Sequence, residues 1–236
     1  MFLLSSIELV TVILSSIILL FIIFMIIVIT WILRYIDDSS ENKRYIYSIL
    51  NKQAKPNSIV FLGDSLTDFY RIDEFYKKKY IYNRGIAGNT TDDILNRLDD
   101  NVINITPRKI FLQIGTNDLG NKKSCDYVIN NITKIITILK NELPDADINV
   151  ISLYPVNAKA MITSKISVGR RKNKDIDFIN QKLVDLSGKL GYTYIDVNSS
   201  LKDGNGVLRK EYTVEGLHIS LHGYIKITEI LTPYVF

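Results

Sequence analysis

Residues 58–68 read SIVFLGDSLTD, an apolar run that ends at Gly63 and is followed at once by a polar segment. The run is short and rich in β-branched residues, which indicates a strand, and the segment after it is able to start a helix. Strands that alternate with helices are typical of α/β proteins with a parallel sheet. This stretch therefore predicts such a sheet, with Ser65 at the carboxyl end of one strand.

The same alternation continues to the C-terminus. Four further runs have strand character, and the segments between the strands place apolar residues at helical spacing. We therefore predict an α/β domain, a three-layer α/β/α sandwich around a mostly parallel sheet of about five strands. The four runs are YIYN (80–83), KIFLQI (109–114), INVISL (148–153) and YTYIDV (192–197), and the helical segments are TTDDILNRLDDNV (90–102), CDYVINNITKIITILKNEL (125–143) and KDIDFINQKLVDLSGKL (174–190).

Towards the N-terminus, residues 9–33 form a continuous apolar run, LVTVILSSIILLFIIFMIIVITWIL, without a charged side chain. It is longer than the roughly 20 residues that a helix needs to cross a bilayer. A cleaved signal peptide would need a basic segment before the run and a small-residue cleavage site after it, and neither is present. We therefore expect one transmembrane anchor (residues 1–33), a polar linker with a helical lead-in (34–57) and a globular domain (58–236).

Charge and cysteine content narrow the class of protein. Lys and Arg residues follow the apolar run but none precedes it, which favours a cytoplasmic domain, while an extracytoplasmic domain stays open. The net charge of +4 is mild, and the basic residues are scattered among acidic ones, so we expect no nucleic-acid partner. The single Cys125 excludes an internal disulfide without identifying the compartment.

Polar turns follow three successive strands of the predicted sheet, at Ser65, Gly88 and Asn117. A backbone N–H near a helix N-terminus, a glycine N–H and an asparagine amide are all suitable donors to a developing oxyanion. Each turn has an ordinary alternative: an N-cap for Ser65, a tight turn capped by Thr90, and an Asx-turn for Asn117. Because ligands of such sheets bind outside the carboxyl ends of the strands, three turns together indicate a site there.

The chain has two histidines, His218 and His222. A serine nucleophile needs a base at neutral pH, and the unperturbed pKa of histidine suits that role. His222 is expected to begin the last helix as a surface residue, which leaves His218 as the candidate base. A metal site of Glu215, His218 and His222 is the minor alternative, because nearby glycines disfavour one continuous helix and the HExxH order is absent.

These motifs, taken in order, resemble those of the SGNH (GDSL-type) hydrolase family, and most closely its bacterial lysophospholipase and acetylhydrolase-like branch. The resemblance covers residues 58–224 and rests on Gly63-Asp64-Ser65-Leu66, Gly88, Gly115-Thr116-Asn117-Asp118 and GLHISLHGY (216–224). It implies a flavodoxin-like SGNH fold and a serine ester hydrolase without a metal or organic cofactor. It also implies a nucleophile (Ser65), a base (His218), an oxyanion hole (the N–H groups of Ser65 and Gly88 and the Asn117 side chain) and two structural hydrogen-bonding residues (Asp64 and Asp118).

Glu215 departs from the family pattern, in which an Asp stands three residues before the histidine. A glutamate is also able to orient the imidazole of His218, but its extra methylene requires a small adjustment of the backbone. If Glu215 does not reach the ring, a Ser-His dyad remains. We expect activity in either case, because losing the acid alone is less damaging than losing the serine or the histidine.

The resemblance leaves the substrate open. With the expected membrane anchor, an ester of a lipid or lysophospholipid is the leading substrate; a carbohydrate O-acetylesterase and a non-catalytic tethered binding domain are the alternatives. The long connection over residues 154–174 is placed beside the site. Its apolar side chains Met161, Ile162 and Ile166 are expected to contact an acyl chain, and Lys165, Arg170 and Arg171 an anionic head group, unless the segment is a solvated basic loop.

Overall fold

The computed structural model describes residues 5–77 and 80–236 and divides the chain into two compact units, Met1–Asn42 and Lys43–Phe236. The long helix α1 (Ser6–Asn51) begins in the first unit and ends in the second, and it contains the apolar segment Ile7–Ile32, whose 26 residues suffice to cross a membrane. A signal sequence near the N-terminus also satisfies these criteria of length and composition. Residues 1–4 of the expected anchor lie outside the described residues.

The second unit is built around the five-stranded parallel sheet that the sequence predicted, and the order of its strands is β2-β1-β3-β4-β5. The register pairs Gly63 at the end of β1 with Gly85 on β2 and Gln113 on β3. The carboxyl ends of these three strands, and hence the three polar turns, therefore lie side by side. The strands are β1 (Ile59–Gly63), β2 (Ile81–Gly85), β3 (Lys109–Gln113), β4 (Asp147–Ile151) and β5 (Thr193–Ile195).

Helices cover both faces of the sheet, because alternate side chains of each strand point to opposite sides. Val60 and Leu62 belong to a core that includes residues of α4, α6 and α8, whereas Ile59 and Phe61 belong to a second core that includes residues of α10. The predicted three-layer architecture is confirmed. The remaining helices are α2 (Ser65–Asp68), α3 (Ile72–Tyr76), α4 (Thr91–Asn101), α5 (Thr116–Gly120), α6 (Cys125–Glu142), α7 (Ser164–Val168), α8 (Asn173–Leu190), α9 (Asn198–Leu201) and α10 (Leu221–Val235), with 3-10 turns at Ile103–Ile105 and Lys210–Tyr212.

The last part of α1 belongs to the second unit and packs against the sheet, although the sequence suggested a linker there. The hydroxyl of the buried Tyr47 donates to the carbonyl oxygen of Gly85 at 3.1 Å. Asn51 Oδ1 accepts two hydrogen bonds from the Arg84 guanidinium, at 3.0 and 2.7 Å. The helical lead-in expected from Tyr45 onward is thus the last part of a longer helix, and the second compact unit begins at Lys43. Its partners lie far along the chain, so the local composition did not reveal the contact.

Candidate active site

The turn from β1 into α2 places Ser65 at the edge of the sheet. A Cβ atom on Gly63 would lie 2.2 Å from Thr67 Oγ1 and 2.4 Å from the Gln113 carbonyl oxygen, so only glycine permits this close approach. Asp64, and not Ser65, caps the helix, because Asp64 Oδ1 accepts from the Leu66 N–H at 2.9 Å. The hydroxyl of Ser65 is therefore not used as a cap.

Ser65 and His218 are brought together from opposite ends of the domain. Ser65 is 6% exposed, and its Oγ lies 3.1 Å from His218 Nε2. On the other side of the ring, Nδ1 of His218 lies 2.7 Å from Glu215 Oε1. This chain of serine, imidazole and carboxylate is the arrangement that activates a serine for nucleophilic attack.

A tight turn over residues 213–218 holds the imidazole and the carboxylate in place. Thr213 Oγ1 accepts from the Gly216 N–H at 2.7 Å and donates to the His218 carbonyl oxygen at 2.8 Å. Glu215 Oε1 also accepts from the His218 backbone N–H at 3.1 Å. Gly216 has φ +95°, and a Cβ there would lie 2.2 Å from the carbonyl oxygen of Asn157. The turn thus requires glycine for two independent reasons.

Asn117 has both ends of its side-chain amide engaged. Its Nδ2 donates to the Asn89 carbonyl oxygen at 3.0 Å, and its Oδ1 accepts from Arg171 Nη2 at 2.8 Å. The residue before Asn89 in the β2–α4 turn, Gly88, is exposed, with φ +84°. The amide of Asn117 is thereby linked to the turn that carries Gly88. In an Asx-turn, Oδ1 of Asn117 would accept from a backbone N–H nearby in the chain, whereas here it accepts from Arg171.

The β2–α4 turn also contains the cap that the sequence suggested. Thr90 forms a capping box with Asp93 at the start of α4. Next to this cap, the carboxylate of the buried Asp118 accepts from Thr91 N at 3.0 Å and from Thr91 Oγ1 at 2.6 Å. Burial raises the pKa of Asp118. Asp118 therefore ties the β3–α5 turn to the start of α4.

Asp64 lies fully buried in the turn from β1 into α2. Burial raises its pKa from 3.8 to about 7, while the hydrogen bond from the Leu66 N–H and the positive charge of Arg171 act in the opposite direction. Desolvation is the largest of these causes, because no water compensates a charge there. Near neutral pH, a large share of Asp64 is therefore protonated.

Arg97 is a buried residue of the site that the sequence analysis missed. It is 2% exposed, and its Nη2 donates to the carbonyl oxygens of Gly63 at 3.0 Å and Arg84 at 2.9 Å. Its Nε donates to Asn89 Oδ1 at 2.7 Å. One side chain thus ties together the turns after β1 and β2. One sequence pattern could have indicated this residue: Arg97 is a cation next to Leu98 on the apolar face of an amphipathic helix.

The sequence suggested that Arg171 contacts an anionic head group, but its guanidinium donates to other residues of the protein instead. Its Nε donates to the Thr116 carbonyl oxygen at 2.8 Å, and its Nη2 donates to Asn117. By contrast, Arg170 is exposed, as are Met161 and Ile162 of the same connection. The two adjacent arginines thus occupy opposite environments, which neighbouring positions in a loop do not reveal.

An aromatic ring lies beside the imidazole of His218. The Phe69 ring lies 5.4 Å from the imidazole, centroid to centroid, and is 51% exposed. His222 is exposed near the start of α10. Within residues 5–77 and 80–236, no group of three or more His, Cys, Asp and Glu side chains has an arrangement suited to a metal ion.

Known proteins resemble this chain in both sequence and structure. A platelet-activating factor acetylhydrolase IB subunit alpha2 from Gallus gallus is 24% identical over 197 residues, which cover 81% of this chain and 80% of that protein. N-acylneuraminate cytidylyltransferases from Streptococcus agalactiae are 27% identical over 191 residues, 79% of this chain but 41% of their own length. The chain thus spans less than half of those enzymes.

Two solved structures share the fold. A protein from Streptococcus pneumonia that carries the name platelet activating factor superposes with a TM-score of 0.83 at 31% identity, covering 89% of this chain and 99% of that one. A GDSL-like lipase from Bacteroides thetaiotaomicron superposes with a TM-score of 0.72 at 21% identity, covering 81% and 96%. The GDSL-like Lipase/Acylhydrolase family model matches residues 61–225, a span that includes Ser65, Glu215 and His218. The chain therefore belongs to the GDSL-like lipase/acylhydrolase family.

Proposed function

We propose that this protein is a membrane-anchored serine esterase that hydrolyses carboxylic esters through an acyl-enzyme on Ser65. The observation that carries the proposal is the 3.1 Å distance between Ser65 Oγ and His218 Nε2, with Glu215 on the other ring nitrogen. This distance lies within the reach of direct proton transfer. Membership of an acylhydrolase family supports ester hydrolysis as the reaction class.

In the first half of the reaction, Ser65 Oγ attacks the ester carbonyl carbon while its proton moves to His218 Nε2. The carbonyl oxygen becomes an oxyanion, which accepts hydrogen bonds from the N–H groups of Ser65 and Gly88 and from the Asn117 amide. The imidazolium of His218 then gives the proton to the alcohol oxygen as the ester C–O bond breaks. The alcohol leaves, and the acyl group remains on Ser65.

In the second half, water attacks the acyl-enzyme and gives a proton to His218. The bond between the acyl carbon and Ser65 Oγ breaks, the carboxylic acid leaves, and Oγ recovers the proton from His218. Glu215 accepts the Nδ1 hydrogen bond throughout, which fixes the tautomer of His218 and stabilises the transient imidazolium. Asp64 and Asp118 act as supports of their turns. The reaction needs no cofactor.

A lipid or lysophospholipid ester is the preferred substrate class, and apolar groups near His218 support it. Phe69 lies beside the imidazole, and the N–H of Val214, which is 57% exposed, donates to the His218 carbonyl oxygen at 2.9 Å. Leu221, three residues after His218, is 67% exposed. The apolar segment Ile7–Ile32 supports a membrane location. We assign the anchor to residues 1–33 and the hydrolase domain to residues 58–236, with the end of α1 packed against it; the side of the membrane on which the domain lies stays open.

A carbohydrate O-acetylesterase is the second candidate. It uses the same Ser65 chemistry on a shorter acyl group. The name of the chicken relative, an acetylhydrolase, favours a short acyl group. The two candidates therefore differ in how rate depends on acyl length and on the alcohol part of the ester.

Fluorophosphonate labelling of the full chain in detergent tests the proposal. We expect labelling of the wild type and of Ser58→Ala, whose buried serine lies just before the start of β1, and no labelling of Ser65→Ala. Rates with p-nitrophenyl acetate, long-chain p-nitrophenyl esters, lysophospholipid and an acetylated oligosaccharide then separate the two candidates. A wild-type chain that neither labels nor hydrolyses any ester would instead support a non-catalytic tethered binding domain.

A further inference from the structure

The guanidinium of Arg171 is directed into the protein, where its donors meet four oxygen atoms. Two belong to the start of α5: the Thr116 carbonyl oxygen, 2.8 Å from Nε, and Asn117 Oδ1, 2.8 Å from Nη2. The other two are the carbonyl oxygens of Ser167 and Val168, 3.3 and 3.2 Å from Nη1. One side chain therefore bridges the end of α7 and the start of α5, which contains Asn117.

Space for this guanidinium exists because residue 120 is glycine. A Cβ atom on Gly120 would lie 2.6 Å from Arg171 Nη2 and 2.7 Å from its Cζ. Gly120 ends α5 and does not have a positive φ, so its backbone conformation does not require glycine. The close approach of Arg171 is the local reason for glycine at this position.

The Arg171 contact decides which way the Asn117 amide faces. A side-chain amide has one acceptor oxygen and two N–H donors. Because a guanidinium only donates, it holds Oδ1 of Asn117, and Nδ2 must then point to the opposite side, where it donates to the Asn89 carbonyl oxygen at 3.0 Å. One N–H of Nδ2 is used there, which leaves the second for a substrate oxygen.

The charge of Arg171 also strengthens this donor. None of the ion pairs among residues 5–77 and 80–236 involves Arg171, so carbonyl and amide oxygens solvate a partly buried cation. The charge of Asp64 acts on Arg171 without a direct ion pair, and burying a cation that lacks such a pair is costly. A cation on Oδ1 polarises the amide and makes its N–H a stronger donor to an oxyanion.

We propose that Arg171 is a positioning residue of the esterase: it fixes and polarises the Asn117 amide so that Nδ2 faces the oxyanion. This inference rests on the proposed function. Arg171 does not touch substrate in this role, and it acts through Asn117. Its loss therefore slows formation of the oxyanion and leaves substrate binding almost unchanged.

A double-mutant cycle on the full chain in detergent tests the coupling, with p-nitrophenyl acetate as the probe. We expect Arg171→Gln to lower kcat about 10- to 100-fold with little change in KM, because an oxyanion donor is worth about 10²- to 10³-fold. In an Asn117→Ala background, the same substitution should change kcat less than about twofold. Arg170→Gln, which removes the same charge from the adjacent exposed position, should leave kcat unchanged in both backgrounds. Gly120→Ala, which pushes the guanidinium away without altering residue 171, should repeat the Arg171→Gln pattern.

A second readout does not depend on activity. In a chain labelled with ¹⁵N-asparagine, the Asn117 side-chain resonances, assigned by their loss in Asn117→Ala, should shift in Arg171→Gln and Gly120→Ala but not in Arg170→Gln. Unshifted Asn117 resonances, or equal losses of kcat in both backgrounds, would overturn the inference. An inactive wild type that shows the resonance shift would reject the proposed function and still support the contact.

Discussion

Glu215 Oε1 lies 2.7 Å from Nδ1 of His218, although glutamate is one methylene longer than the aspartate of the family pattern. The extra length is taken up within the tight turn, because the same oxygen also accepts from the His218 backbone N–H at 3.1 Å. The carboxylate therefore folds back over its own backbone and reaches Nδ1 of the ring. The departure seen in the sequence does not leave the imidazole without an acidic partner.

Substitution of Glu215 by Gln should lower turnover without abolishing it. The neutral amide no longer stabilises the imidazolium of His218 and also accepts the wrong tautomer, for a loss in kcat of about 10²- to 10⁴-fold. His218→Ala, which removes the base itself, should lose more than Glu215→Gln under the same conditions. Steady-state kinetics with p-nitrophenyl acetate measure both. Equal and negligible losses would remove both residues from the mechanism.

Gly216→Ala should damage both stability and activity. The new Cβ would lie 2.2 Å from the Asn157 carbonyl oxygen, at a residue with φ +95°, so the turn between Glu215 and His218 has to move. We expect a loss of at least about 2 kcal/mol in the free energy of unfolding and a fall in kcat.

The matched control for that substitution is Gly188→Ala within helix α8. A Cβ there meets nothing within 4 Å, so we expect a gain of about 0.5–1 kcal/mol and unchanged kcat. Urea denaturation and ester hydrolysis give both quantities. A Gly216→Ala chain as stable and active as the wild type would show that the turn is not confined by Asn157.

The order of strands and helices was predictable because each element carries its own periodicity. All five strands lie within two residues of the predicted runs, and α6 follows the apolar spacing from Val128 onward. The sequence did not show that the end of α1 packs on the sheet unit. Tyr47 and Asn51 are held there by Gly85 and Arg84, more than thirty residues away, and no local pattern encodes such a contact.

Some polar residues at the site could be predicted from the sequence and others could not. Ser65, His218 and Asn117 stand in recognisable motifs, so the sequence indicated them before their distances were known. Arg97 and Arg171 stand in no motif, and their roles depend on which backbone oxygens surround them after folding. A cation within an apolar helical face, as at Arg97, is the one local pattern that indicates such a residue.

Arg97→Met should destabilise the fold more than an exposed arginine substitution does. It removes the charged donor to the carbonyl oxygens of Gly63 and Arg84, and a hydrogen bond to a charged group contributes about 1.5–3 kcal/mol. Arg108→Met removes an exposed arginine and should change stability by less than about 0.5 kcal/mol. Urea unfolding of both variants decides the matter; similar midpoints would mean that Arg97 does not hold the two turns together.

A retained membrane anchor predicts both the mass of the chain and its location in the membrane fraction. If Ile7–Ile32 spans the bilayer and is retained, the chain should stay in the membrane after alkaline carbonate extraction and keep its full mass of 27.0 kDa. An apolar helix of this length does not leave a bilayer under those conditions. Intact mass spectrometry of the extracted protein makes the measurement. A soluble chain shortened by about the length of this segment would show a cleaved signal sequence instead.

Asp64→Asn should change how stability depends on pH. Burial raises the pKa of Asp64 from 3.8 to about 7, so between these values the folded state binds a proton that the unfolded state has lost. The contribution of Asp64 to the free energy of unfolding therefore falls as pH rises through this window and levels off above about pH 7. Asparagine keeps an acceptor for the Leu66 N–H but does not titrate.

The stability of Asp64→Asn relative to the wild type should accordingly rise by a few kcal/mol over that window, since one pKa unit corresponds to about 1.4 kcal/mol. Asp145→Asn, at an exposed position, should show no such trend. Urea denaturation at a series of pH values from about 4 to 8 gives the two differences directly. Because the difference between two chains cancels all other titrating groups, a flat profile for Asp64→Asn would mean that Asp64 stays ionised in the folded protein and that its charge is compensated, most directly by the nearby Arg171.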